Sequence, residues 1–186
     1  MGTLTITGGT LRSRRVPIPP GRGTRPTPSR VKEALFSILG ARIDGARVLD
    51  LFAGSGALGF EALSRGAAQV TFVERHRPTA GALRGAALEL GVEAQVEVIA
   101  APAERAVRSV AGRYDVVFAD PPYAQPYPAA ALRALRERNA IDAHTTVVYE
   151  HSSREAPPAD ALMQAERSVR YGEVALTFLR PLEAAA

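Results

Sequence analysis

Two short segments hold residue types that could do chemistry. The first is Gly54-Ser55-Gly56-Ala57-Leu58-Gly59, with Asp50 four residues before it and Glu74 20 residues after Gly54. Glycines at this spacing, between a strand and a helix, let the backbone turn sharply and approach a ligand. An acid at the end of the next strand can grip two ribose hydroxyls. The segment therefore points to a nucleoside-containing cofactor, and by itself leaves two kinds open. A dinucleotide would set its pyrophosphate at the helix N-terminus. S-adenosylmethionine has no phosphate and presents a cationic sulfonium and an amino-acid group. A carboxylate at Asp50 suits those cations and would repel a pyrophosphate, which favours the methyl donor.

The second segment is Asp120-Pro121-Pro122-Tyr123, directly after the apolar run Tyr-Asp-Val-Val-Phe-Ala of residues 114–119. Two prolines fix φ and remove backbone donors. A rigid turn is left that presents two acceptors, the Asp120 carboxylate and the Pro121 carbonyl, beside the aromatic face of Tyr123. This set suits methyl transfer to a planar exocyclic amine. Such a nitrogen is a poor nucleophile because its lone pair is delocalised into the ring. Two acceptors, one for each N–H, would localise the lone pair and stabilise the positive charge that builds as the methyl arrives. Tyr123 can stack on the base, a contact worth about 1–3 kcal/mol. Rate would come from in-line alignment with the sulfonium methyl, without a covalent intermediate.

These residues need a scaffold that brings both segments to one rim. From Ala46 onward the sequence alternates apolar strand runs with helical patterns. Strands are expected at residues 48–52, 69–74, 95–99, 114–119 and 145–150, with a helix from the glycine loop to about residue 65 and others at about 78–91, 103–110 and 128–138. Such repeats call for a parallel sheet with helices on both faces. Ligands bind such sheets at the carboxyl ends of the strands, where both segments would lie. Residues 163–171 and 173–180 read as two strands without a helix between them, hence an antiparallel hairpin at one edge. At the other end of the chain, residues 3–7 alternate and read as a strand. Gly8-Gly9 supplies a turn, and residues 10–16 return as a second strand. A stretch rich in proline and glycine follows. A helix then starts with Thr27 as N-cap and Pro28 in its first turn, with Val31, Leu35, Ile38 and Leu39 as its apolar stripe. The expected fold is α/β, a Rossmann-like seven-stranded sheet carrying a short N-terminal β-hairpin. Residues 1–26 form a basic extension and residues 27–186 the main domain.

Composition bounds what else the chain can be. The 186 residues are 46% hydrophobic and 23% charged, the profile of an ordinary globular domain. With no cysteine, thiolate catalysis and Cys-based zinc sites are excluded, and His76, His144 and His151 are too scattered for a His-only metal site. No metal is expected. No apolar run is long enough to span a membrane, and no signal-peptide pattern opens the sequence, so the expected compartment is the cytoplasm. The net charge of +4 hides an asymmetry. Residues 1–47 carry nine basic and two acidic residues, a charge of +7, whereas the remainder carries 14 basic and 17 acidic, a charge of −3. A basic arm on a mildly acidic body suggests a polyanionic partner. Arginine outnumbers lysine 22 to 1, so the use of arginine in the arm carries no separate message.

Taken together, the sequence resembles the RsmD-type 16S rRNA (guanine-N2)-methyltransferases. The likeness lies in Gly8-Gly9 followed by basic residues, and in Arg25-Pro26-Thr27 with Arg30-Val31, Glu33 and Leu35-Phe36. It continues through the segment from Asp50 to Gly59, Glu61-Ala62-Leu63-Ser64-Arg65-Gly66-Ala67, Val73-Glu74 and Asp120 to Tyr123. The resemblance implies a seven-stranded methyltransferase fold, S-adenosyl-L-methionine as cofactor, and methylation of N2 of one guanine in 16S rRNA within an assembling 30S particle. By position, Asp50, Ala53, Gly54 and Gly56 would hold the methionine part and Glu74 the ribose, with Phe52, Ser55 and Arg75 also in the cofactor site, and Asp120 to Tyr123 would hold the target base. Arg12, Arg14, Arg15, Arg22, Arg25, Arg30 and Lys32 would grip rRNA phosphates around the flipped guanine. One departure concerns the adenine. Residues 100–104 read Ala-Ala-Pro-Ala-Glu, where such enzymes often place an Asp or Asn, leaving backbone groups near Ala103, or Glu104, for that contact. A monomer is expected, since one large polyanionic substrate needs no second subunit.

Three other readings compete. A DNA adenine-N6 methyltransferase shares both motifs, but the length leaves no room for a separate sequence-reading domain. An NAD-dependent oxidoreductase fits the glycine loop and leaves Asp50 and the Asp-Pro-Pro-Tyr turn unexplained. A non-catalytic RNA-binding module would need neither motif intact.

Overall fold

Strand residues alternate between two faces, and where both faces of the sheet are covered the strands carry apolar residues on both. Val48 and Leu49, Val116 and Val117, and Val148 and Val147 each send one side chain into either of two separate cores. The structure, a computed structural model, describes residues 2–18, 29–122 and 126–183. The strands are β1 (Gly2–Thr5), β2 (Arg15–Ile18), β3 (Arg47–Asp50), β4 (Gln69–Val73), β5 (Val96–Ile99), β6 (Val116–Ala119), β7 (Thr146–Ser152), β8 (Met163–Tyr171) and β9 (Val174–Pro181). The helices are α1 (Ser29–Leu39), α2 (Ala57–Ser64), α3 (Arg77–Leu90), α4 (Ala103–Ala106) and α5 (Ala129–Glu137).

Seven strands form one sheet in the order β5-β4-β3-β6-β7-β9-β8. From β5 to β7 all neighbours run parallel, while β9 runs antiparallel between β7 and β8. The expected edge hairpin is present, with its second strand inserted next to β7. From β3 the chain steps outward through β4 to β5, then returns to place β6 on the other side of β3. That reversal opens a crevice between the carboxyl ends of β3 and β6, the usual ligand position in open α/β sheets. Asp50 ends β3 opposite Phe118 of β6, and Asp120 stands just past β6.

The N-terminal hairpin departs from expectation in shape. Its strands pair Gly2 with Ile18 through Thr5 with Arg15, and backbone hydrogen bonds extend the pairing only to Ile6. Beyond that the ladder opens because the backbone donors are used elsewhere. The Thr7 and Gly8 N–H groups donate to Glu61, and those of Thr10 and Leu11 donate to the carbonyl and hydroxyl of Ser64. Leu4, Ile6 and Val16 are buried in the same core as Val31, Leu35, Phe60 and Leu83. The α4 region is shorter than the expected 103–110, continuing past Ala106 as tight turns. Among the described residues, no helix is long and apolar enough to cross a membrane.

Candidate active site

The glycine loop between β3 and α2 is tied to the strands on both sides. Leu51 donates to Phe118 and Ala53 to Val73, which seats the start of the loop across the ends of β6 and β4. Gly56 precedes α2 at φ 78°, a conformation that favours glycine, and a Cβ there would press on Phe60 and Leu83. Gly59 lets α2 lie on β4, since a Cβ there would overlap the Phe72 ring. Asp50 is buried, and its carboxylate accepts the backbone N–H groups of Phe52 and Gly59. Because Gly59 is the third residue of α2, Asp50 supplies the acceptor that the N-cap Gly56 cannot.

Glu74 joins the loop to the next unit. One carboxylate oxygen accepts Gly54 N–H at 2.9 Å and the other accepts His76 N–H at 2.7 Å. Burial pushes the Asp50 carboxyl up from 3.8 to about 7, and the charges on Asp120 and then Glu74 add to that, against the two backbone donors. Burial likewise lifts Asp120 to about 6. Asp50 thus feels both neighbouring acids, and the three carboxyl groups line one rim of the crevice. Among the described residues, no group of three or more acids and histidines is spaced to hold a metal ion. An organic cation fits this donor set, and a pyrophosphate does not.

Asp120 and Pro121 follow β6, with Pro121 buried and Pro122 exposed. Tyr123 lies outside the described residues. Alongside stands an aromatic group that the sequence did not single out as a unit. Tyr149, paired in register with Ala119, feels the charge of Asp120. Tyr127 meets Tyr149 edge-on at 5.1 Å, and His151 stacks on its other side at 4.9 Å. Both ring nitrogens of His151 are engaged within the protein. Its Nδ1 faces the Ser152 carbonyl, which can only accept, so Nδ1 carries the proton and Nε2 accepts from the Thr177 hydroxyl at 2.8 Å. Burial lowers its pKa.

The remaining site residues fall into three groups. Phe52 packs against the second core, Ala53 is buried, Gly54 and Ser55 are partly exposed, and Arg75 is exposed on the rim. Arg12, Arg15 and Arg30 are exposed, and so is Arg14, although it donates to the Glu89 carbonyl near the end of α3 at 2.8 Å. Arg22 and Arg25 lie outside the described residues, as do the expected helix start at Thr27 and Pro28. Lys32 requires a correction. Its ammonium is buried, donates to the Thr5 carbonyl at 2.9 Å and pairs with Glu61 at 3.3 Å, so it cannot reach an rRNA phosphate.

The family described as Conserved hypothetical protein 95 matches residues 4–180. The chain belongs to this family, that of the RsmD proteins. Ribosomal RNA small subunit methyltransferase D of Escherichia coli strain K12 is 36% identical over 178 residues, covering 94% of this chain and 88% of its own length. The protein of the same name from Haemophilus influenzae is 36% identical over 159 residues, covering 84% and 82%. The solved structure of yhhF from Escherichia coli aligns with TM-score 0.87 at 30% identity, covering 99% of this chain and 100% of its own. The sheet is therefore the seven-stranded methyltransferase sheet, and fold and family imply a donor of the S-adenosylmethionine type. The oxidoreductase and DNA-methylase readings are not favoured by family membership.

Proposed function

We propose that this protein transfers the methyl group of S-adenosylmethionine to N2 of a guanine in small-subunit rRNA. The observation that carries the reading is the pairing of an acid-lined crevice at the β3/β6 switch point with the Asp120–Pro121 acceptors on its lip, in a chain of the RsmD family. The donor supplies an activated methyl on a cationic sulfur. Asp50 and the loop from Phe52 to Gly56 would hold its amino-acid end, and Glu74, with Arg75 nearby, the ribose. Asp120 and the Pro121 carbonyl would accept the N–H groups of the target, with Tyr123 stacked on the base. Guanine offers adjacent N1–H and N2–H donors that a carboxylate can accept as a pair, whereas adenine has an acceptor at N1. The exposed Arg12, Arg14, Arg15 and Arg30, with Arg22 and Arg25, would hold phosphates around the extruded nucleotide. On this reading residues 1–26 grip RNA and residues 27–186 transfer the methyl, acting as a monomer on an assembling 30S particle in the cytoplasm.

A labelled methyl donor tests this against 30S particles, deproteinised small-subunit rRNA and DNA in parallel. Label is expected in N2-methylguanine of RNA, with the particle as the better substrate. Label in DNA adenine, or in no nucleic acid, would overturn the reading.

The carboxyl at Asp50 adds a pH dependence. A cationic donor needs it ionised, and in the free protein it is about half protonated near pH 7. Donor affinity should climb as pH rises through about 7 and level off above it, with protons released on binding. Calorimetry in buffers of different ionisation heat reads both. Affinity that stays flat with pH, without proton release, would remove Asp50 from the donor site. Stability of the free protein runs the other way. The folded value lies above the unfolded one, so Asp50's contribution is full below 3.8 and is lost as pH rises through about 7.

A further inference from the structure

Glu61 and Ser64, on the helix that grows out of the glycine loop, hold the tip of the basic hairpin. Glu61 is fully buried, yet its carboxylate accepts Thr7 N–H at 2.9 Å, Thr7 Oγ1–H at 2.8 Å, Gly8 N–H at 2.8 Å, Arg65 Nε–H at 2.9 Å and Lys32 Nζ at 3.3 Å. Burial works to raise its pKa, and the Thr7, Arg65 and Lys32 contacts outweigh that and keep it below the usual range. The Ser64 hydroxyl donates to the Gly8 carbonyl and accepts Leu11 N–H at 2.9 Å, while the Ser64 carbonyl accepts Thr10 N–H at 2.7 Å. Gly9 sits so close that a Cβ would overlap that carbonyl, at a φ of 76° that favours glycine. Arg65 also lies over the Phe36 ring at 5.0 Å, and Phe36 packs edge-on against Phe118 of β6, two residues before Asp120.

The Thr7, Gly8, Thr10 and Leu11 backbone donors at the hairpin tip thus end on Glu61 and Ser64 of α2, whose other end is the donor loop and whose first turn is capped by Asp50. A free RNA-gripping arm would need none of this. We infer that Glu61 and Ser64 are positioning residues, fixing the RNA-gripping hairpin at one distance and angle from the methyl donor through the short rigid helix α2. The inference rests on the rRNA reading above. It assigns the hairpin the task of registering the target nucleotide, in addition to adding affinity.

Two substitutions loosen the clamp without unpairing the buried charges. Thr7→Val removes the hydroxyl that donates to Glu61, and Thr7→Ser restores it. Gly9→Ala pushes the tip off the Ser64 carbonyl. Each is compared with the natural protein in methyl transfer to 30S particles at saturating donor, in affinity for an rRNA fragment, and in donor affinity. Loss of registration is expected to lower turnover in Gly9→Ala on the order of a hundredfold. Thr7→Val should show a smaller loss, Thr7→Ser should recover it, and donor affinity should hold in all three. Turnover unchanged in Gly9→Ala, or a fall in donor affinity matching the fall in turnover, would overturn the inference. If the natural protein methylates no RNA, the rRNA reading fails instead. The clamp is then judged on rRNA-fragment affinity, where no change in Gly9→Ala overturns it.

Discussion

Asp120→Asn should lower methyl transfer to guanine by about 10²–10³-fold, the loss typical of removing one preorganised electrostatic partner of the transition state. The asparagine keeps size and shape, but it turns one acceptor into an N–H that faces the target's own N–H donors. Pro121 still offers its carbonyl, so the base can enter; what goes is the charge that offsets the positive nitrogen as the methyl arrives. Donor affinity provides the discriminating sign. The Asp120 charge helps to hold the Asp50 carboxyl up near 7, second only to burial. Removing that charge lets Asp50 ionise earlier, so donor binding near neutral pH should hold or tighten while the chemical step slows. Single-turnover rates and donor titration on the same preparation separate the two effects. A natural rate in Asp120→Asn, or a rate loss accompanied by weaker donor binding, would mean that Asp120 does not receive the amine.

How far these residues could be read from sequence depends on where each finds its partner. Asp50, Glu74 and Asp120 were legible because each stands at the end of an apolar run, and in a parallel sheet those ends share a rim. The crevice followed from topology, which alternating strands and helices impose. Lys32 was not legible. It lies among exposed arginines in the chain and reads as one more cation of the arm, yet its acid partner is 29 residues away on a helix that the sequence marks only as apolar and small. Glu61 stands in its motif without a visible task, because nothing local tells a buried acid from a solvated one. The same gap affected the hairpin. Its charge drew attention to RNA, whereas Leu4, Ile6 and Val16, three apolar residues among many polar ones, bury it in the main core. Deleting residues 1–24 would therefore strip the core and unpair Glu61, and would not isolate RNA binding.

The second large effect comes from that buried node. Glu61→Ala should destabilise the protein by about 3–5 kcal/mol, the usual loss when one partner of a buried ion pair is removed and the other stays behind. Lys32 would keep the Thr5 carbonyl but lose its counter-charge while 2% exposed, and the Thr7 and Gly8 N–H groups would lose their acceptor. For a domain of this size the midpoint of thermal unfolding should fall by on the order of 10 °C. The cause can be separated by a second substitution. Glu61→Leu combined with Lys32→Met leaves no charge buried, and apolar replacement of a buried pair is often close to neutral. Stability should then return in part. It should not return fully, because two backbone donors of the hairpin still lack an acceptor and each unsatisfied group costs about 1–3 kcal/mol when buried. Urea unfolding of the single and double variants measures the difference. If Glu61→Ala alone changed stability by no more than the roughly 0.5 kcal/mol typical of a surface site, the node would not hold the hairpin. If the double variant were as weak as the single one, the loss would come from the hairpin's hydrogen bonds and not from the stranded lysine.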